Sequence, residues 1–194
     1  MTRRLVVLGG SLVWLLAAAG FSTAAVPLYT GLGTLHHAVT TRSPTVPQYF
    51  DQGLKLCYAF NHDEAIRAFR EAARLDPTCA MAHWGIAFAL GPNVNLPVDP
   101  EREKEAFTEI QKARALGSKA TARERAWIAA MAKRYSDDPK ADLKALDVAF
   151  ADAMRGLSAA YPDDLDAETI YAEALLDVHP WDWWTHDGKP QTGT

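Results

Sequence analysis

From residue 47 to about 178, apolar side chains recur every three or four positions and polar residues fill the intervals, the period of amphipathic helices. The clearest run is DEAIRAFREAARL, residues 63–75. Ala65, Ile66, Phe69, Ala72 and Ala73 share one face of it, while Glu64, Arg67, Arg70, Glu71 and Arg74 share the other. An apolar-periodic run over 47–60, containing YFDQGLKLCYAF, precedes it, with Asn61 and His62 as the bend and Asp76-Pro77 as the stop. CAMAHWGIAFALG predicts the next helix, and its partner runs over 100–116 after the long connection PNVNLPVDP. Ala106, Ile110 and Ala113 repeat the small–bulky–small face there. The TxxE capping box at 121–124 opens a helix to about 135. A turn follows at 136–139, with Pro139 suited to the first position of a helix that runs to about 161. DAETIYAEALLDV predicts a last helix over 166–178, left without a partner, and the chain closes in the Trp-rich loop 179–194. No stretch sustains strand alternation, so the predicted fold class is all-α.

Small residues on a buried face, such as Ala65 and Ala72, let a neighbouring helix approach closely, as a tight hairpin requires. Tyr49, Gly53, Ala65, Phe69, Ala72 and Pro77 follow in the order and spacing of the tetratricopeptide repeat (TPR), which the first hairpin closely resembles. Gln52 and Leu56 depart from that pattern, standing where Leu and Tyr are usual. The 34-residue period carries Tyr49 to His83, at the head of a second unit. The resemblance implies antiparallel helical hairpins stacked into a right-handed superhelix. The units would be about 47–79, 80–118 and 121–162, with a fourth starting at 164. The pieces LGTLHHAVTT, YFDQGLKLCYAFNHDEAIRAF, DPTCAMAHWGIAFALGPNVN and PWDWWTHDG also resemble a group of exported bacterial tetratricopeptide proteins. That resemblance implies export and a longer parent chain, of which this is the N-terminal part. It supplies no catalytic residues.

Composition narrows the function classes. The chain has 194 residues, 48% hydrophobic and 23% charged, enough for one ordinary domain or a short repeat array. A net charge of −4 without a basic stripe argues against nucleic acid as a partner. Residues 1–25 begin with Arg3 and Arg4, continue through an apolar run and end in small residues, which reads as a secretory signal peptide. Its alternative is an uncleaved anchor over 5–25, about the ~20 residues a spanning helix needs and the sole expected membrane contact. Either way the chain is exported, to the periplasm or beyond. Residues 26–46, with Gly31, Gly33, Pro44 and Pro47 in or beside them, read as an extended arm.

Candidate chemistry is sparse. His62, Asp63 and Glu64 sit side by side, but the position four after His62 is Ile66, so no HExxH metal site forms. The bend reading gives His62 a packing role and leaves Asn61 or Asp63 to cap the second helix. A metal site or metal-dependent enzyme built from His36, His37, His62 and His83 is the rival class, although no spacing among them supports one. His179, Asp182, His186 and Asp187 are ligand types without a recognised spacing, and Trp181, Trp183 and Trp184 read as packing anchors. Cys57 and Cys79 are expected as buried free thiols, being too far apart across successive helices for a disulfide. No GxSxG, P-loop, GxGxxG or CxxCH is present, so no catalytic residue, cofactor or haem is implied.

In arrays of this kind the first helix of each pair lines a groove. Here that lining is Phe50, Leu54, Tyr58, Met81, Trp84 and Phe88, with Pro47 and Cys57 beside them. It is apolar and aromatic and lacks the Lys, Arg and Asn that a carboxylate-binding groove wants. The groove therefore receives an apolar segment of a protein or peptide partner, or is filled by the arm or the Trp loop. The function implied is a non-catalytic interaction scaffold of the cell envelope. A purely structural role within a larger repeat protein is the other alternative.

Overall fold

The structure is a computed structural model that describes residues 26–191; the segment read as a signal peptide lies outside them. Seven α-helices follow one another: α1 (Val46–Tyr58), α2 (His62–Leu75), α3 (Ala80–Leu90), α4 (Pro100–Ala115), α5 (Ala122–Met131), α6 (Leu143–Ala160) and α7 (Leu165–Val178). Among the described residues there is no strand, and the fold is all-α. No described helix is long and apolar enough to cross a membrane.

The helices pack as neighbours in the chain: α1 on α2, α3 on α4 and α6 on α7, with α2 against α3 joining the first two pairs. The short α5 touches α3, α4 and α6 and ties the second pair to the third. Ala65, Phe69 and Ala72 of α2 are wholly buried, as the small–bulky–small face requires. Phe69 explains two glycines. A Cβ on Gly53 of α1 would stand 2.6 Å from Phe69 Cε1, and one on Gly85 of α3 would meet the same ring. The Phe69 ring thus lies directly on the backbones of two helices. Tyr49 is half-buried and donates its hydroxyl to Val26 O at 2.9 Å, whereas Pro77 is exposed in the turn after α2.

Four local expectations need correction. The last helix, expected to lack a partner, packs as α7 on α6. Neither Asn61 nor Asp63 caps α2 by its side chain. The bend is instead closed by the end of α1, where Asn61 N donates to Leu56 O and Phe60 N to Cys57 O, with Phe60 at φ 58°. That pattern satisfies the last carbonyls of a helix and usually has Gly at the left-handed position. Next, α5 stops at Met131 rather than near 135, because the chain tightens until Arg134 N bonds Met131 O. Finally, α6 starts at Leu143, not at Pro139. Asp138 and Asp142 decide this: Asp138 Oδ1 accepts from Lys140 N in a non-helical turn, and Asp142 Oδ1 accepts from Ala145 N as the cap. The box at Thr121 forms as the TxxE spacing predicts, with Glu124 N donating to Thr121 Oγ1 and Thr121 N to Glu124 Oε2.

Candidate functional site

The aromatic groove is closed. Phe50, Leu54, Met81, Trp84 and Phe88 are all buried, and Tyr58 is half-buried. They form the middle of the core, so as an open partner-binding lining they are withdrawn. The arm covers Phe50, and Trp127 of α5 covers Trp84. The His37 ring lies 5.6 Å from both the Phe50 and the Trp127 rings, and Trp127 in turn stands edge-on to Trp84 at 5.2 Å. Leu32, Leu35 and Val39 of the arm also pack on this core. The Trp loop does not contribute, since Trp181 and Trp184 remain 70% and 60% exposed.

An extended segment without a strand partner must satisfy its backbone groups elsewhere. This arm uses a row of side chains. Gln52 of α1 accepts from Tyr29 N at 2.7 Å and donates to Pro27 O at 2.9 Å. Asp51 accepts from His37 N, Glu124 of α5 from Thr40 N and Oγ1, and Asp76 from Arg42 N and Thr41 Oγ1. Gln52, off pattern in the sequence, is therefore the residue that holds the start of the arm. Burial works against ionising Asp76 and Glu124, but the hydrogen bonds they accept hold both carboxyls below their usual range.

The four histidines of the metal alternative go to different places. His36 Nδ1 is 2.8 Å from Asp51, His37 Nδ1 is 2.7 Å from Asp166, and His83 Nδ1 is 2.7 Å from Glu109. His62 opens α2 beside Phe60, where burial lowers its pKa. Among the described residues one cluster has ligand-type atoms close together: His37, Asp164 and Asp166. Its oxygens are already engaged. Asp166 takes His37 and the Tyr58 hydroxyl, while Asp164 takes Trp127 Nε1 at 3.0 Å and Ala167 N at 3.2 Å. The cluster is a hydrogen-bonded anchor for the arm. Cys57 and Cys79 are both buried free thiols.

What remains open lies elsewhere, and sequence reasoning did not find it. The long α3–α4 connection is held by local hydrogen bonds: Asn93 and Leu96 exchange both backbone bonds, and Asn93 Oδ1 accepts from Asn95 N. Beneath it is a cavity of about 400 Å³ walled by this loop, Leu143, Pro180 and Trp181, with Arg134, Asp147 and Asp177 at its base. A second cavity of about 590 Å³ runs between α4 and the α5–α6 turn. Both are lined by Val98, Glu103 and Leu143, so they form one furrow. Leu96, Leu143 and Trp181, three of the exposed large apolar side chains among the described residues, stand at its mouth.

At the base Arg134 is fully buried. Its Nη2 donates to Asp177 Oδ2 at 2.5 Å and to Pro92 O at 3.0 Å, and its plane lies 4.7 Å over the Phe150 ring. Asp147 is 3.6 Å from Nε, too far for a hydrogen bond, and both Arg134 Nε and Asp177 Oδ1 lack a partner. Burial pushes the Asp177 carboxyl up to about 6, against the pull of Arg134. Burial and the nearby Asp177 push Glu173, one turn earlier on α7, up to about 7. Burial also raises Glu103 and Asp147. The base thus holds one cation among four carboxyl groups. Such positions come from four separate elements, and each reads locally as a solvated charge. The one signal in the sequence was the length of PNVNLPVDP.

The fold and furrow define an all-α chain with an open cleft and a sealed core. No protein-family model, curated protein or solved structure matches this chain.

Proposed function

We propose that the chain is a non-catalytic protein–protein interaction scaffold of the cell envelope, built from TPR-like hairpins stacked in a right-handed superhelix and exported by residues 1–25. The observation that carries the binding role is the furrow: exposed Leu96, Leu143 and Trp181 converge on one walled cavity, whereas the aromatic groove is sealed. Clustered apolar exposure beside a preformed concavity is what a docking surface presents. The convergence also argues against a purely structural role, which requires no preformed cleft.

A photo-crosslinking side chain placed at position 96 or 143 of the full-length protein, in the producing cell, tests this. A discrete adduct from both positions and none from position 119, which is exposed outside the furrow, is the expected result. Adducts independent of position, or none at either furrow position, would refute the scaffold reading.

A further inference from the structure

We infer that the furrow takes an extended peptide segment by one Lys or Arg side chain, whose cationic head enters the cavity toward Asp177 and Asp147 while its apolar neighbours cover Leu96, Leu143 and Trp181. This rests on the scaffold reading and names the chemistry of its partner.

Charge comes first. The two cavities together are lined by six carboxylate residues and two cations, Lys104 and Arg134. Arg134 faces Asp177 and Asp147 directly, with Glu103 and Glu173 near enough to perturb or be perturbed by the same cluster. The α3–α4 loop brings only a carbonyl, Pro92 O, to this group. An anionic ligand would meet this excess of carboxylates, and the one buried cation is already committed to Asp177 and Pro92. A cation meets an attractive field instead.

Unused bonding capacity is the second, independent observation. Asp177 lines the cavity, its side chain is 3% exposed, and Oδ1 accepts no hydrogen bond. A buried carboxylate oxygen without a protein donor costs free energy. An incoming ammonium or guanidinium supplies the missing donors and the missing charge. Because it is a single buried recess, it suits one long cationic side chain. The mouth suits what flanks that side chain in a peptide: Trp181, held at φ 62°, and Leu96 and Leu143 form an apolar rim. Lys and Arg carry apolar stems that such a rim covers.

Binding a cation here favours ionised Asp177 and Glu173, which otherwise hold protons to about 6 and 7. Affinity therefore rises with pH through that interval and falls on acidification.

The test uses a random peptide library displayed on phage, selected against the full-length protein at pH 8. Selected sequences should carry Lys or Arg flanked by apolar residues. Synthetic versions should lose at least tenfold in affinity when the basic residue becomes Gln, and similarly at pH 5. Trp181→Ala, an exposed change, should weaken them several-fold without lowering thermal stability, and Asp147→Asn, beside Arg134, should weaken them several-fold in a protein whose folding is checked by circular dichroism. Asp177→Asn should abolish binding, with folding checked by circular dichroism. Selected peptides without a basic residue, or indifferent to all three variants, would overturn this inference and leave the scaffold intact. Recovery of no binding peptide, joined to absent crosslinks at 96 and 143, would overturn both.

Discussion

His37 Nδ1 stands 2.7 Å from Asp166 Oδ2, joining residues 129 apart and fastening the arm to α7. The same His37 ring covers Phe50 and Trp127. Removing it leaves Asp166 short of a donor and the aromatic core uncovered. His37→Ala is expected to cost about 1–3 kcal/mol in urea unfolding at neutral pH. Limited proteolysis should then cut within residues 26–46 first. An unchanged unfolding midpoint and an uncut arm would show that the arm is not a structural strap.

Trp84 belongs to the sealed core, at 1% exposure. Trp84→Ala should therefore act on stability, by about 3–5 kcal/mol. Denaturant titration of the free protein reads this directly. A normal midpoint would mean that the residue faces a groove after all.

Gly85 and Gly53 are spaces for the Phe69 ring. Gly85→Ala should destabilise by about 1–3 kcal/mol through overpacking. Combining it with Phe69→Leu should cost less than the sum of the two single changes, a coupling that a double-mutant cycle measures. Strict additivity would mean that the ring and the α3 backbone do not press on one another.

Phe60 occupies the left-handed position at the end of α1 with its side chain mostly exposed. Phe60→Gly should raise stability by up to about 1 kcal/mol, since the relieved steric cost exceeds the added chain entropy. A lower melting temperature would show that the exposed ring contributes more by its contact with His62 than the backbone loses.

Stability against pH should carry two opposed contributions. Glu173 and Asp177 have raised carboxyl pKa values, so the folded state holds protons that the unfolded state releases. Their stabilisation is present at low pH and is lost as pH rises from about 4 toward 6 and 7. Asp76 is shifted the other way, and its stabilisation is lost as pH falls below its ordinary value of 3.8. Glu173→Gln should therefore stabilise the free protein above pH 7 by about 1 kcal/mol and have little effect near pH 4. Melting curves across that range decide it; an equal effect at both ends would rule out the raised carboxyl.

Much of the helical layout was legible because helix formation and its face are local matters. The run from Asp63 to Leu75 places Ala65, Phe69 and Ala72 on one side by period alone, and the Thr121–Glu124 box marks a helix start through bonds three residues long. Even Gly53 could be read as a close approach, although not which ring approached it. Where local signals competed, as at Pro139 against Asp138 and Asp142, the side-chain acceptors won and the helix began later.

What the sequence determined by itself was the class of fold and a set of apolar and aromatic positions on helix faces. Only the tertiary structure decided which of them lie open. Phe50 and Trp84 read the same whether a partner or the protein's own arm covers them. The choice rests on Gln52, Asp51, Glu124, Asp76 and Asp166, acceptors spread across three helices and the turn after α2 that meet the arm only once the chain has folded. Arg134 and Asp177 are likewise ordinary surface types 43 positions apart, turned into a buried pair by the packing of α6 and α7 and the early end of α5. Period is a property of neighbours along the chain. Burial of a charge, and the field in a cleft, are properties of everything packed around it, and no local pattern encodes them.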